Sequence, residues 1–177
     1  MAPIMSMLLQ AAAFLLAFVA LASCLHKFLK PARTKAATVA LTGMPPAFAH
    51  LLWLAAALLE AAGTLVAFPE TRLVGAVLLA VLWSAYAVAL GLKVIRGEPL
   101  GDCGCSFGRT ASAHTLPRGV TFRAAALATT AWLLALLPGG VVTALEAAML
   151  ILPATAFFLF YLAADQLGGR PSMEIRP

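Results

Sequence analysis

Four long apolar runs organise the chain: about Ile4 to Leu25, Ala47 to Phe68, Leu73 to Ile95, and Val141 to Ala164. Each is near the roughly 20 residues that a helix needs to cross a bilayer, so each predicts a transmembrane helix. A fifth run, Phe122 to Leu137, is shorter. It reaches full span if its helix starts near Leu116 or Pro117, giving about 117–137, with Arg118 and Arg123 snorkelling toward the head groups. Pro45-Pro46, Pro69, Pro117 and Pro138-Gly139-Gly140 fall between the runs, where the chain must leave or enter a helix. Pro153, inside the last run, predicts a kink. The expectation is an all-α integral membrane bundle of four to five helices (about 4–25, 47–68, 73–95, 117–137 and 141–164), forming one domain over 1–177. No internal repeat is visible, and the many alanines suit close helix packing in lipid.

Composition strengthens this picture. The 177 residues are 63% hydrophobic and 11% charged, with a mean hydropathy of +0.98, far from an average soluble domain. The formal charge of +5 resides mainly in the connections, which reads as topology and contact with membrane lipid and not as nucleic-acid binding. No Lys or Arg precedes the first run, so a cleaved signal peptide is not expected, and the first segment should stay attached. Leu21-Ala22-Ser23-Cys24 has the look of a lipoprotein cleavage box but lacks the basic stretch ahead of it.

Counting passes places the connection His26 to Met44 on the same side as Arg96 to Leu116. Cys24 closes the first helix on that side and Cys103 and Cys105 sit in the third connection, so all three cysteines can gather at one face. In Gly101-Asp102-Cys103-Gly104-Cys105-Ser106-Phe107-Gly108, Gly104 permits the tight turn that a one-residue spacing requires. A strained, exposed disulfide there is easily reduced, which suits a disulfide donor or relay. A helix start and Arg109 would lower the pKa of a thiol beside them, whereas Asp102 acts in the opposite sense. Three other readings stand beside it: loop cysteines that stay reduced, a noncatalytic scaffold, or a Cu/Zn site built from Cys24, Cys103 and Cys105 with His26.

Cys24 is either buried packing or a third thiol that passes the disulfide on. His26 and Lys27 beside it either stabilise a thiolate or meet head groups, and head-group contact is the expected role of Lys27. Glu60 is costly inside a span and needs a partner. Counted from Ala47 it falls beyond the midplane, toward the face opposite the cysteines, where it fixes packing or lines a polar cavity. Trp53, Trp83, Tyr86 and Trp132 pack the core or form a flat apolar pocket; Trp83 and Tyr86 are the candidates to meet a quinone ring. No nucleophilic triad, phosphate loop or dinucleotide fingerprint appears.

Asp102-Cys103-Gly104-Cys105 followed by Phe107-Gly108, after a third helix ending in Arg96-Gly97, resembles the methylamine utilisation protein MauE family. His26-Lys27, Glu60 and Arg123 match that pattern as single residues, and Ser106 is an insertion relative to a tighter Cys-Gly-Cys-Phe-Gly form. The resemblance implies a bacterial inner-membrane protein that works with a periplasmic thioredoxin-like partner in maturing a disulfide-containing client enzyme subunit. The arrangement is also similar to vitamin K epoxide reductase, which implies a four-helix core and a quinone as electron acceptor, although those proteins carry Cys-x-x-Cys. Sidedness is contested within the sequence. Lys27, Lys30, Arg33, Lys35, Arg96, Arg109 and Arg118 on the cysteine side point to the cytoplasm; disulfide chemistry and the resemblance point to the periplasm, which is the expectation taken here.

Overall fold

The computed structural model describes residues 2–98, 117–137 and 143–168. Among the described residues six α-helices follow one another: α1 (Ala2–Leu29), α2 (Pro31–Thr42), α3 (Pro46–Gly63), α4 (Arg72–Ile95), α5 (Pro117–Leu136) and α6 (Ala144–Gly168). A 3-10 turn, Thr64–Ala67, extends α3. Among the described residues there is no strand. Among the described residues five segments are long and apolar enough to cross a membrane: Ile4–Leu29, Pro46–Ala67, Arg72–Ile95, Gly119–Leu136 and Leu145–Ala163. The protein is therefore a multi-pass membrane protein, and the short fifth run does become a helix starting at Pro117. Pro153 does not end α6, which continues through it.

The first connection departs from expectation, because most of it is the helix α2. Pro31 supplies the preset φ of a first helical turn. Gly43 ends the helix in the left-handed region at φ 65, its N–H donating to Val39 O, and Pro46 then starts α3. Thr34, Thr38 and Thr42 return their hydroxyls to backbone carbonyls, which satisfies these polar groups within the helix. Composition pointed to a loop here because Lys30, Arg33 and Lys35 interrupt the hydrophobic run. Tertiary packing overrides that, since α2 lies antiparallel along α3: the Trp53 indole N–H donates to Thr34 Oγ1 at 2.9 Å, and Lys35 Nζ sits 4.9 Å from the Trp53 ring centre.

The core runs along α1, α4 and α5, with Ala13, Leu16, Ala20, Ala76, Leu79, Ala80, Ala131 and Leu134 buried together. Alanines recur at the contacts because lipid offers no hydrophobic reason for helices to associate; close backbone approach and dispersion must supply it. α4 and α5 make the most extensive pairing, tied by Arg72 Nη2 donating to Leu137 O at 2.9 Å and Trp132 Nε1 to Ser84 Oγ at 3.2 Å. α6 packs on α1, where Phe18 and Phe158 meet at 6.0 Å. The outer surface is apolar, with Phe122, Leu136, Leu152 and Ile95 exposed, whereas Gln10, Ser23, His26, Lys27, Thr34 and Glu60 are buried. Such an inside-out distribution is what a lipid solvent selects.

Gly75 shows how tight this packing is. A Cβ there would run into the backbone nitrogen of Val66 in the 3-10 turn. Gly75→Ala should accordingly destabilise the bundle by about 1–3 kcal/mol, the usual cost of overpacking, read as a lower unfolding midpoint in detergent or bicelles. A midpoint equal to wild type would mean that the two segments do not approach so closely.

Candidate functional site: a buried ion pair beside a cleft

Ser23, Cys24, His26 and Lys27 occupy the last two turns of α1, and all four are buried. Ser23 and Lys27 are four residues apart and so share a helix face. The Lys27 ammonium donates to Glu60 Oε1 at 2.6 Å, to Glu60 Oε2 at 2.7 Å and to Ser23 Oγ at 3.1 Å. The Ser23 hydroxyl in turn donates to Glu60 Oε1 at 2.8 Å. Each N–H of the ammonium thus has an acceptor, and both carboxylate oxygens are engaged. Lys27 is 2% exposed and Glu60 0%.

This arrangement corrects two expectations. Lys27 does not reach the head groups; its long side chain runs back along α1, as helical side chains do, and meets Glu60. Glu60 does not stand alone on the far side: it lies in the cluster that contains Ser23 and Lys27, within electrostatic reach of Cys24. The sequence signal was present, since an acid inside one apolar helix demands a base, and the neighbouring helix ends with a lysine. What counting along α3 lacked was the overlap between α3 and the end of α1, created by α2 continuing beyond it. Ser23 was missed altogether because its hydroxyl matters only through this pair.

A cleft lies next to the cluster. Ser23, Trp83, Tyr86, Leu90, Val120, Arg123, Ala124, Leu127 and Tyr161 line it, and its cavity volume is about 20 Å³, room for a water molecule. Lys27 Nζ stands 6.0 Å from the centre of the Tyr86 ring. Arg123 does not snorkel outward as expected; its guanidinium lies 4.9 Å from the Tyr161 ring centre, joining α5 to α6. Trp83 and Tyr86 do share the cleft, whereas Trp53 is held in the α2–α3 hairpin and Trp132 bonds to Ser84. Tyr161, which nothing in the sequence singled out, also lines the cleft.

Asp102, Cys103, Gly104, Cys105, Phe107 and Gly108 lie outside the described residues, but the helices on either side of them do not. Leu90 and Trp83 of α4 and Val120 and Arg123 of α5 border the same cleft as Ser23. The chain thus leaves and re-enters the bundle at the end where Cys24 sits. Cys24 itself is a buried, free thiol. Among the described residues no three His, Cys, Asp or Glu side chains converge as a metal site would require.

At the end of α4, Lys93 Nζ donates to Glu98 Oε2 at 2.8 Å. That hydrogen bond, and then the lysine's charge, hold the Glu98 carboxyl below its ordinary range. Because the folded value is depressed, the tie is present above the ordinary carboxylate range and is lost as the pH falls through the lowered one. The Lys93 side-chain NMR signal should accordingly move with acidification in wild type and stay put in Glu98→Gln. Identical titration of the two would refute the tie.

A family model described as methylamine utilisation protein MauE matches residues 5–137. No curated protein and no solved structure matches the chain. The matched stretch takes in α1 to α5, the Lys27–Glu60 pair and the Cys103-Gly104-Cys105 segment, more than half of the sequence, and the chain belongs to the methylamine utilisation protein MauE family.

Proposed function

We propose that the protein is a membrane thiol–disulfide oxidoreductase whose working bond is a Cys103–Cys105 disulfide, exchanged with a periplasmic thioredoxin-like protein that serves a disulfide-containing client enzyme subunit. The observation that carries this reading is the shared cleft: residues flanking the cysteine segment on α4 and α5 border the same space as Ser23, next in sequence to Cys24. Two cysteines spaced by a single glycine in the segment between α4 and α5, with Cys24 at the end of α1, favour exchange over a permanent crosslink.

The exchange needs two cysteine thiols on the partner. A partner thiolate attacks one sulfur of the Cys103–Cys105 bond, forming a mixed disulfide and releasing the other sulfur as thiolate. The partner's second thiolate then attacks the mixed disulfide, leaving an oxidised partner and two cysteine thiols. Reoxidation removes two electrons and two protons, and a quinone that leaves as quinol is the acceptor a bilayer supplies. With water-sized room in the cleft and Trp83 buried in the core, the quinone would meet the cleft at the part-exposed Tyr86. Cys24 is suited to pass the bond between partner and pair.

A periplasmic inner-membrane site for the loop follows from the same chemistry. Lys27, one of the cations that argued for the cytoplasm, is buried against Glu60 and carries less weight as a topological signal. Trapping tests the proposal: Cys105→Ser or Cys103→Ser, expressed with the partner, should accumulate a dithiothreitol-sensitive mixed disulfide between the two proteins. If neither does, and client maturation survives replacement of both cysteines, the protein is a scaffold and the exchange reading fails.

A further inference from the structure

An ion pair enclosed in a membrane bundle is an expensive way to join two helices. Well-packed apolar residues of similar volume hold helices as firmly or more so, so the pair is weak evidence for stability. Ionisable side chains inside membranes instead mark proton and ion routes. The Lys27–Glu60 pair has a second unusual feature, its bridge. Ser23 Oγ accepts from Lys27 at 3.1 Å and donates to Glu60 Oε1 at 2.8 Å, and the same residue lines the cleft. A hydroxyl is both donor and acceptor, so it can take a proton from one side while giving its own to the other. Lys27 and Glu60 are not among the cleft's lining residues; the hydroxyl connects them to it.

We infer that Ser23, Glu60 and Lys27 form a proton-exchange site serving the cleft, in which Glu60 takes a proton from a group in the cleft through Ser23 while Lys27 holds the positive charge. In the forward step the Ser23 hydroxyl proton passes to Glu60 Oε1, and the proton of the cleft group replaces it on Ser23 Oγ. Glu60 becomes a neutral acid, the cleft group becomes an anion, and Lys27 stays an ammonium. The sum of charges is unchanged, so no net charge is created in a medium where that would be prohibitive. The carboxylate is met by Ser23 and Lys27 on α1 and lies within electrostatic reach of Cys24, while Tyr86 on α4 stands 6.0 Å from the Lys27 ammonium and Arg123 of α5 lines the cleft. The cavity has room for one water molecule, which would carry the proton to Ser23. That the group giving up the proton is a thiol rests on the exchange function proposed above; the exchange site itself does not.

Infrared spectroscopy of the full chain in a lipid film tests this without any redox partner. On a pH jump, and on transfer to heavy water, wild type should show a protonated-carboxyl band that rises, falls and shifts, and that is missing in Glu60→Gln. Ser23→Val removes the hydroxyl and fills its place, and should slow the response of that band by about a hundredfold, the low end for a positioned proton-transfer group. Ser23→Thr keeps the hydroxyl and should restore the wild-type rate. A Glu60 carboxylate that never protonates while the protein stays folded, or equal rates in Ser23→Val and Ser23→Thr, would overturn the inference and leave the pair a helix tie. A responsive band in a protein whose cysteines never form a disulfide would keep the exchange site and reject the thiol reading.

Discussion

Lys27→Met should lower the unfolding free energy of the bundle by about 3 kcal/mol or more, because the change leaves the Glu60 carboxylate buried without its counter-charge. Glu60 is fully enclosed and Lys27 nearly so, hence solvent cannot take over the lost partner. Glu60→Leu alone should cost a similar amount by stranding the ammonium. The double replacement Lys27→Met with Glu60→Leu should recover most of the loss, since two apolar side chains of similar size then meet where two charges stood, and Ser23 can turn its hydroxyl to the backbone carbonyl one turn back. Reversible unfolding in bicelles measures all four proteins, and the cycle isolates the coupling. Additive single effects would mean that the two charges do not meet.

The second large effect concerns activity. Replacing Cys103 and Cys105 together by Ala should reduce the rate of disulfide transfer to a reduced thioredoxin-like partner on the order of a thousandfold or more, since Cys24, the one cysteine left, cannot form a disulfide within the chain for the partner's thiolate to attack. Cys24→Ala should be milder. It leaves the pair intact and removes only the relay, so exchange slows without vanishing. Folding should survive in both cases, because Cys103 and Cys105 lie between helices and Cys24 is a small side chain that Ala nearly replaces. Stopped-flow oxidation of the partner in proteoliposomes reads the rates. A double variant that transfers disulfides at the wild-type rate would remove the pair from the chemistry.

The apolar runs made the spanning helices legible because bilayer thickness is a length requirement that composition alone expresses. Even the short run before Pro138 became a helix at Pro117, as its proline start implied, although Arg123 turns to Tyr161 and not toward the head groups. α2 was not legible. Its apolar periodicity is poor, and what makes it a helix is contact with Trp53 on a later segment, which no local pattern encodes. The candidate site divided in the same way. Glu60 announced itself by being an acid among leucines, and Trp83, Tyr86 and Arg123 were singled out singly. Their convergence with Ser23 and Tyr161 depends on how α1, α4, α5 and α6 cross, and crossing geometry is set by the alanine contacts as a whole and not by any residue's own chemistry.

The most direct measurement is the mass of the purified full-length protein after free thiols have been alkylated, with and without prior reduction, followed by peptide mapping of the three cysteines. Exchange through the loop predicts that Cys103 and Cys105 share a bond before reduction, take up alkylating reagent only after it, and leave Cys24 a free thiol. If both loop cysteines are alkylated without reduction, in protein taken from cells under every condition of oxidant supply, the account of this membrane protein as a disulfide carrier is contradicted.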